Sequence, residues 1–125
     1  MEARHIGVDV VDIERFREQL GSAGTTFSSV FTDRELRDCA AKADRAASLA
    51  ARWAAKEAYI KAWSQSLFGA PPVVGAVDFR DIEVISDAFG RVALALHGEL
   101  ESVAPPAASL SLSHDGNCAV AVCLV

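Results

Sequence analysis

Arg52-Trp-Ala-Ala-Lys-Glu-Ala-Tyr-Ile-Lys-Ala-Trp63 is the stretch that decides how the rest of this chain is read. It lies in an alanine-rich segment, Asp44 to Leu67, that has neither proline nor glycine. Residues that disfavour helices are nearly absent, so the spacing predicts a helix from Asp44 to Ser64. At about 1.5 Å per residue that helix runs roughly 30 Å, the width of a small domain. Around it, Leu49, Trp53, Ile60 and Trp63 form one large apolar stripe. Ala47, Ala51, Ala54, Ala55, Ala58 and Ala62 line much of the opposite side, so packing on more than one side is expected. Glu57 falls at the border of the large stripe beside Trp53, with Lys61 one turn further on. A carboxylate there is only partly hydrated and calls for a partner or a metal. Two readings follow: an i,i+4 Glu57–Lys61 pair worth tenths of a kcal/mol, or a ligand site.

The 125 residues make one domain, 1–125, with enough length for a real core. The hydrophobic share is 51%, a globular composition. The longest apolar run is far short of a membrane span, and Glu2, Arg4 and His5 do not suit a signal peptide. Cys39, Cys118 and Cys123 form no C-x-x-C pair and are expected to be reduced, mostly buried thiols of a cytoplasmic protein. With only three scattered histidines, any metal is expected on oxygen ligands rather than in a zinc site. The net charge of −5 arises entirely after residue 65, where two basic residues face seven acidic ones. That balance argues against general nucleic-acid binding and permits a local basic patch for a phosphorylated ligand or an acidic partner.

From the N-terminus, His5 to Ile13 reads as a strand, apolar on both parities and therefore an interior strand. Asp9 shares a face with Gly7 and Val11. It is either a semi-buried carboxylate with room left by Gly7 for something to approach, or a cap for the next element. Glu14 to Leu20 is a short helix that projects Arg15 and Arg17 and stops at Gly21. Thr32 with Glu35 three residues on, preceded by Phe31, is a capping box opening a helix through Ala41. Asp44 is the expected N-cap of the long helix.

Beyond Trp63, the Gly- and Pro-containing segment Ser64 to Asp78 is a loop. Ile82–Ile85 and Val92–Leu96 make a hairpin with Asp87 and Gly90 as turn residues. A short helix, Glu99 to Val103, ends before Pro105-Pro106. Ser109 to His114 alternates strictly, and an Asp115-Gly-Asn117 turn joins it to a strand from Cys118 to Val125. His114 shares its face with Leu110 and Leu112. It is open to reading as a hydrogen-bonded core residue or as a site residue.

No Gly-rich phosphate loop and no G-x-S-x-G elbow is present. Two carboxylates from different elements, Asp9 and Glu57, with Lys61 close by, suit an open magnesium site that water and a substrate phosphate would complete. Residue chemistry alone leads that far, to a candidate Mg²⁺–phosphate site.

The combination of Gly7-Val-Asp9-Val-Val-Asp-Ile13, Phe31-Thr-Asp-Arg-Glu35, Trp53-Ala-Ala-Lys-Glu57-Ala58 with Lys61, and Ser111-Leu-Ser-His114 resembles the holo-[acyl-carrier-protein] synthase family. This is the short, trimeric group of the 4′-phosphopantetheinyl transferases, and the motifs span the chain in order. The resemblance implies an α+β fold with a long central helix packed on a small, mainly antiparallel sheet. It implies an enzyme that moves the phosphopantetheine arm of coenzyme A onto a serine of an acyl carrier protein, free or a synthase domain, releasing adenosine 3′,5′-bisphosphate. Asp9 and Glu57 then correspond to Mg²⁺ ligands, and Asp9, Glu57, Lys61 and His114 to the catalytic set. Lys42, Arg45, Arg52, Lys61, Ser113 and His114 correspond to coenzyme A contacts, and Arg15 to the position that meets the carrier protein. The site is expected between subunits of a homotrimer. The loop Ser64 to Val77 departs from the short Gly-rich turn of many members and carries Pro71-Pro72. A non-catalytic coenzyme A or carrier-protein binding module, and a metal-dependent phosphohydrolase, stand as alternative functions.

Overall fold

The long helix, α3, runs Arg45–Ser66, and every other layer packs around it in a computed structural model that describes residues 4–106 and 109–125. The Asp44 carboxylate caps its first turn by accepting from the Ala47 amide at 3.0 Å, as expected. The alanine face is completely enclosed: Ala50, Ala54, Ala55, Ala58 and Ala62 expose nothing. Methyl-sized side chains let the sheet lie close against the helix backbone, while Leu49, Tyr59 and Trp63 fill the space on the other flank.

The main sheet has three antiparallel strands, β1 (Ile6–Asp12), β4 (Ser109–Asp115) and β5 (Cys118–Leu124). Their order is β1-β5-β4, with Asp9 opposite Ala121 and Leu112 opposite Ala121 on the other side. β1 is therefore an edge strand, not the interior strand expected from its two apolar parities. Gly7, Asp9 and Val11 turn toward α3, but Ile6, Val8 and Val10 lie on the outer face with 53, 51 and 63% of their surface exposed. Its apolar residues on that face have no cover among the described residues.

β2 (Ile82–Ser86) and β3 (Val92–Leu96) form a separate two-stranded hairpin. Asp87 organises its turn by accepting from the Phe89 and Arg91 amides, and Gly90 takes the positive φ of 80° that the turn requires. α1 (Ile13–Gly21) is capped by Asp12 rather than Asp9. α2 (Asp33–Ala40) opens on the expected Thr32–Glu35 capping box. A short helix, α4 (Leu100–Val103), precedes β4. The Tyr59 hydroxyl donates to the Pro105 carbonyl at 2.6 Å and ties the following segment to α3. The helix extends to Ser66, three residues into the expected loop, and Val74 and Val77 fold back on the core. The α+β architecture expected from the sequence is the one observed. Cys39 and Cys123 are buried while Cys118 is exposed, in line with mostly buried thiols.

Candidate active site

Asp9 reaches the long helix because β1 and α3 touch at Gly7. A Cβ on Gly7 would lie well inside van der Waals contact with the Ala58 carbonyl oxygen and 2.7 Å from the Ala62 amide nitrogen. Only glycine fits there. The space expected for an approaching ligand is taken by the backbone of α3. Because Gly7 is two residues from Asp9, and Ala58 and Ala62 adjoin Glu57 and Lys61, this contact brings all three side chains to one junction.

At that junction the Lys61 ammonium donates to Asp9 Oδ1 and to the Val8 carbonyl, each at 3.0 Å. No Glu57–Lys61 bridge forms; the salt bridge runs across elements, from α3 to β1. One turn beyond, Gln65 Oε1 accepts from the Ile6 amide at 2.8 Å. Lys61 and Gln65 together occupy two backbone groups on the free edge of β1, which blunts it against strand addition. Glu57 accepts no hydrogen bond among the described residues. Burial pushes its carboxyl pKa above the usual range, and the negative charge of Asp9 adds to that push while Lys61 opposes it.

Asp9 and Glu57 open into a cleft of about 270 Å³ walled by Trp53, Phe16 and Gln19, with Arg15 at its side. One carboxylate paired with an ammonium and a second left without a hydrogen bond among the described residues are a hard-oxygen donor pair with surplus negative charge. Their chemistry fits Mg²⁺, which takes one or two protein carboxylates and completes its shell elsewhere. No group of three or more His, Cys, Asp or Glu is placed to hold a metal among the described residues.

A second cleft, of about 220 Å³, gathers Lys42, Ser48, Arg52, Ser113 and His114 against Ala51 and Leu112. Four of the six residues expected to contact coenzyme A meet here. Arg45 lines a different depression beside Arg17 and Asp44, and Lys61 stays with Asp9. Arg52 is 5% exposed, donating to the Ser48 carbonyl and to Ser86 Oγ at 3.5 and 3.1 Å. Its buried Nε has no partner among the described residues. A guanidinium buried without a carboxylate, beside a lysine, is a ready anion receptor. His114 is exposed at the strand end, not a hydrogen-bonded core residue.

The two clefts share no residue. β1 and β4 are the opposite edges of the sheet, separated by β5, so about 10 Å of sheet lies between them. Asp9, Glu57 and Lys61 are brought together within one chain, and His114 and Ser113 are not brought to them.

Sequence reasoning passed over Lys56 and gave Glu35 only its capping role; both are fully buried. Lys56 Nζ donates to Glu35 Oε1 at 2.8 Å and to the carbonyls of Phe79 and Ile82 at 2.8 and 2.6 Å. Three acceptors match the three donors of an ammonium. Burial lowers its pKa, and Glu35 pulls the other way. Glu35 also accepts from the Thr32 and Val84 amides, which welds the α2 cap, α3 and the hairpin. The available signal was spacing: Lys56 stands in line with Leu49, Tyr59 and Trp63.

A sequence model of the 4′-phosphopantetheinyl transferase superfamily matches residues 5–123. This chain belongs to that superfamily. It is 50% identical to a holo-[acyl-carrier-protein] synthase of Corynebacterium glutamicum, with 96% of each chain covered. A Mycobacterium ulcerans protein of the same name is 46% identical over 96% of this chain and 94% of its own. The solved "Chronobacterium ammoniagenes ACPS-CoA complex" superposes with a TM-score of 0.91 at 49% identity, covering 98% of this chain and 96% of that one. The Mycobacterium tuberculosis acyl carrier protein synthase gives a TM-score of 0.78 at 41% identity, covering 96% and 94%. This superfamily member is an enzyme of the transferase class.

Proposed function

We propose that the 125-residue chain works as one transferase domain that moves 4′-phosphopantetheine from coenzyme A to a serine of an apo-acyl carrier protein. Membership of the superfamily and near-full-length identity to holo-[acyl-carrier-protein] synthases support the reaction. The observation that carries its location is the Asp9–Glu57 pair, gathered by the Gly7 contact into an open cleft.

In the reaction, the serine oxygen forms a bond to the β-phosphorus of coenzyme A. The bond from that phosphorus to the oxygen bridging the α-phosphate breaks, and adenosine 3′,5′-bisphosphate leaves with the electron pair. Asp9 and Glu57 would hold Mg²⁺, which when bound supplies charge stabilisation for the phosphate oxygens. Lys61 adds an ammonium on the same edge, complementary to charge that grows in the transition state. Glu57, which lines the open cleft, would take the serine proton. Lys42, Arg52, Ser113 and His114 would receive the nucleotide end, with Arg52 facing phosphate. Arg15, exposed on α1 beside the acidic cleft, is the residue we assign to the acidic carrier protein.

The uncovered apolar face of Ile6, Val8, Val10 and Val122 supports a homotrimer in which this face is shared. There the Asp9–Glu57 cleft of one protomer would meet the Arg52–His114 cleft of its neighbour. No helix among the described residues is long and apolar enough to cross a membrane. The free thiols support a cytoplasmic setting.

Intact mass of an apo-carrier protein after incubation with the enzyme, coenzyme A and Mg²⁺ tests the activity. The expected product is heavier by one phosphopantetheine arm, and omission of Mg²⁺ abolishes the change. An unmodified carrier that still binds would favour a binding module, and phosphate release without modification would favour a phosphohydrolase.

A further inference from the structure

Lys61 occupies a position with a consequence for cation binding that its expected phosphate contact does not include. Its Nζ sits 3.0 Å from Asp9 Oδ1 and 3.0 Å from the Val8 carbonyl, so two of its three donors are committed to β1. Asp9 is the less accessible partner, with 17% of its side chain exposed against 55% for Lys61. Glu57, the other carboxylate of the cleft, lies one helical turn from Lys61 and is left without a hydrogen bond among the described residues. The junction therefore holds two carboxylates and one half-exposed ammonium, and that ammonium is bonded to one of the two proposed metal ligands.

We propose that the Lys61 ammonium and the divalent cation compete for Asp9, and that cation binding releases Lys61 from β1 into the cleft. The proposal rests on the reading of Asp9 and Glu57 as the metal ligands. A dication held by both carboxylates would repel the ammonium bonded to one of them, and a half-exposed ion pair is a weak hold on a lysine side chain. The second hold on Lys61, the Val8 carbonyl, is a neutral acceptor and does not retain it against that repulsion. Release would free an ammonium at the end of a flexible four-carbon stem, beside the place where phosphate charge develops. Lys61 would thus exchange partners, from Asp9 to substrate phosphate, as the cation arrives.

The test is Mn²⁺ binding to the full-length protein without substrate, followed by electron paramagnetic resonance of free Mn²⁺. Lys61→Met keeps the length and apolar stem and removes the competing charge, so it should tighten Mn²⁺ by roughly tenfold. Lys61→Arg keeps the charge and should bind like the parent. Gln65→Ala, which removes only the neighbouring edge cap, should also bind like the parent and controls for loosening of β1. Loss of a merely structural contact would weaken metal binding or leave it unchanged, so tightening shows that the ammonium opposes the cation at this junction. If Lys61→Met binds no tighter while Asp9→Asn abolishes binding, the exchange is overturned and the ligand assignment stands. If Mn²⁺ binding is insensitive to Asp9→Asn, the ligand assignment itself falls and the exchange falls with it.

Discussion

Glu57 shows how a single carboxylate can be kept available at some expense to the fold. Burial and the neighbouring Asp9 raise its pKa, so the folded protein binds a proton more readily than the unfolded chain does. A raised carboxylate pKa means that stability falls as pH rises from the ordinary value of 4.5 through the folded value. Glu57→Gln should therefore melt slightly higher than the parent at neutral pH, with the gain disappearing below about pH 4.5. It should also lose nearly all turnover, a drop of roughly a hundredfold or more, and most metal affinity. Thermal melts across pH with the carrier mass assay check both halves. Gly7 makes the opposite case, a residue with no chemistry on which the site geometry depends. Gly7→Ala must push β1 away from α3, at a cost of about 1–3 kcal/mol or more, read in a denaturant titration. Asp9 and Glu57 stood out in the sequence because charges at the border of an apolar pattern are conspicuous. The role of Gly7 was not, since a missing side chain does not say whether ligand or backbone fills the gap.

At the scale of elements, capping and periodicity carried most of the information. The Thr32–Glu35 box, the Asp44 cap and the Asp87–Gly90 turn all stand where local chemistry puts them. What local chemistry does not encode is how elements cross. The two apolar parities of β1 imply two buried faces, yet only one is covered among the described residues. The buried Lys56–Glu35 pair was missed for the same reason: each residue is ordinary in its own helix, and only the packing of α2, α3 and the hairpin encloses them. Lys56→Met should leave a buried carboxylate without its cation and cost about 3–5 kcal/mol, measured by chemical denaturation. Glu35 would then become the weak point, because its two amide donors do not replace an ammonium. With Glu57 next in sequence to Lys56, that loss should also loosen the Asp9–Glu57 geometry.

Across the whole molecule, two clefts lie at opposite edges of the sheet. An acidic half lies along β1 and a basic half along β4, and one chain cannot bring them together. The uncovered face of Ile6, Val8, Val10 and Val122 supplies a physical reason for association, and a cyclic arrangement would set each acidic half against a neighbour's basic half. Of Asp9, Glu57, Lys61 and His114, three meet within a chain, and His114 lies in the other cleft. Co-expression of two inactive variants, Glu57→Gln and Arg52→Ala, tests this claim most directly. If the site is shared between subunits, equal mixing should restore about one-quarter of parental carrier modification, because that share of interfaces pairs an intact acidic half with an intact basic half. Mixed oligomers that form but stay as inactive as either variant alone would contradict it.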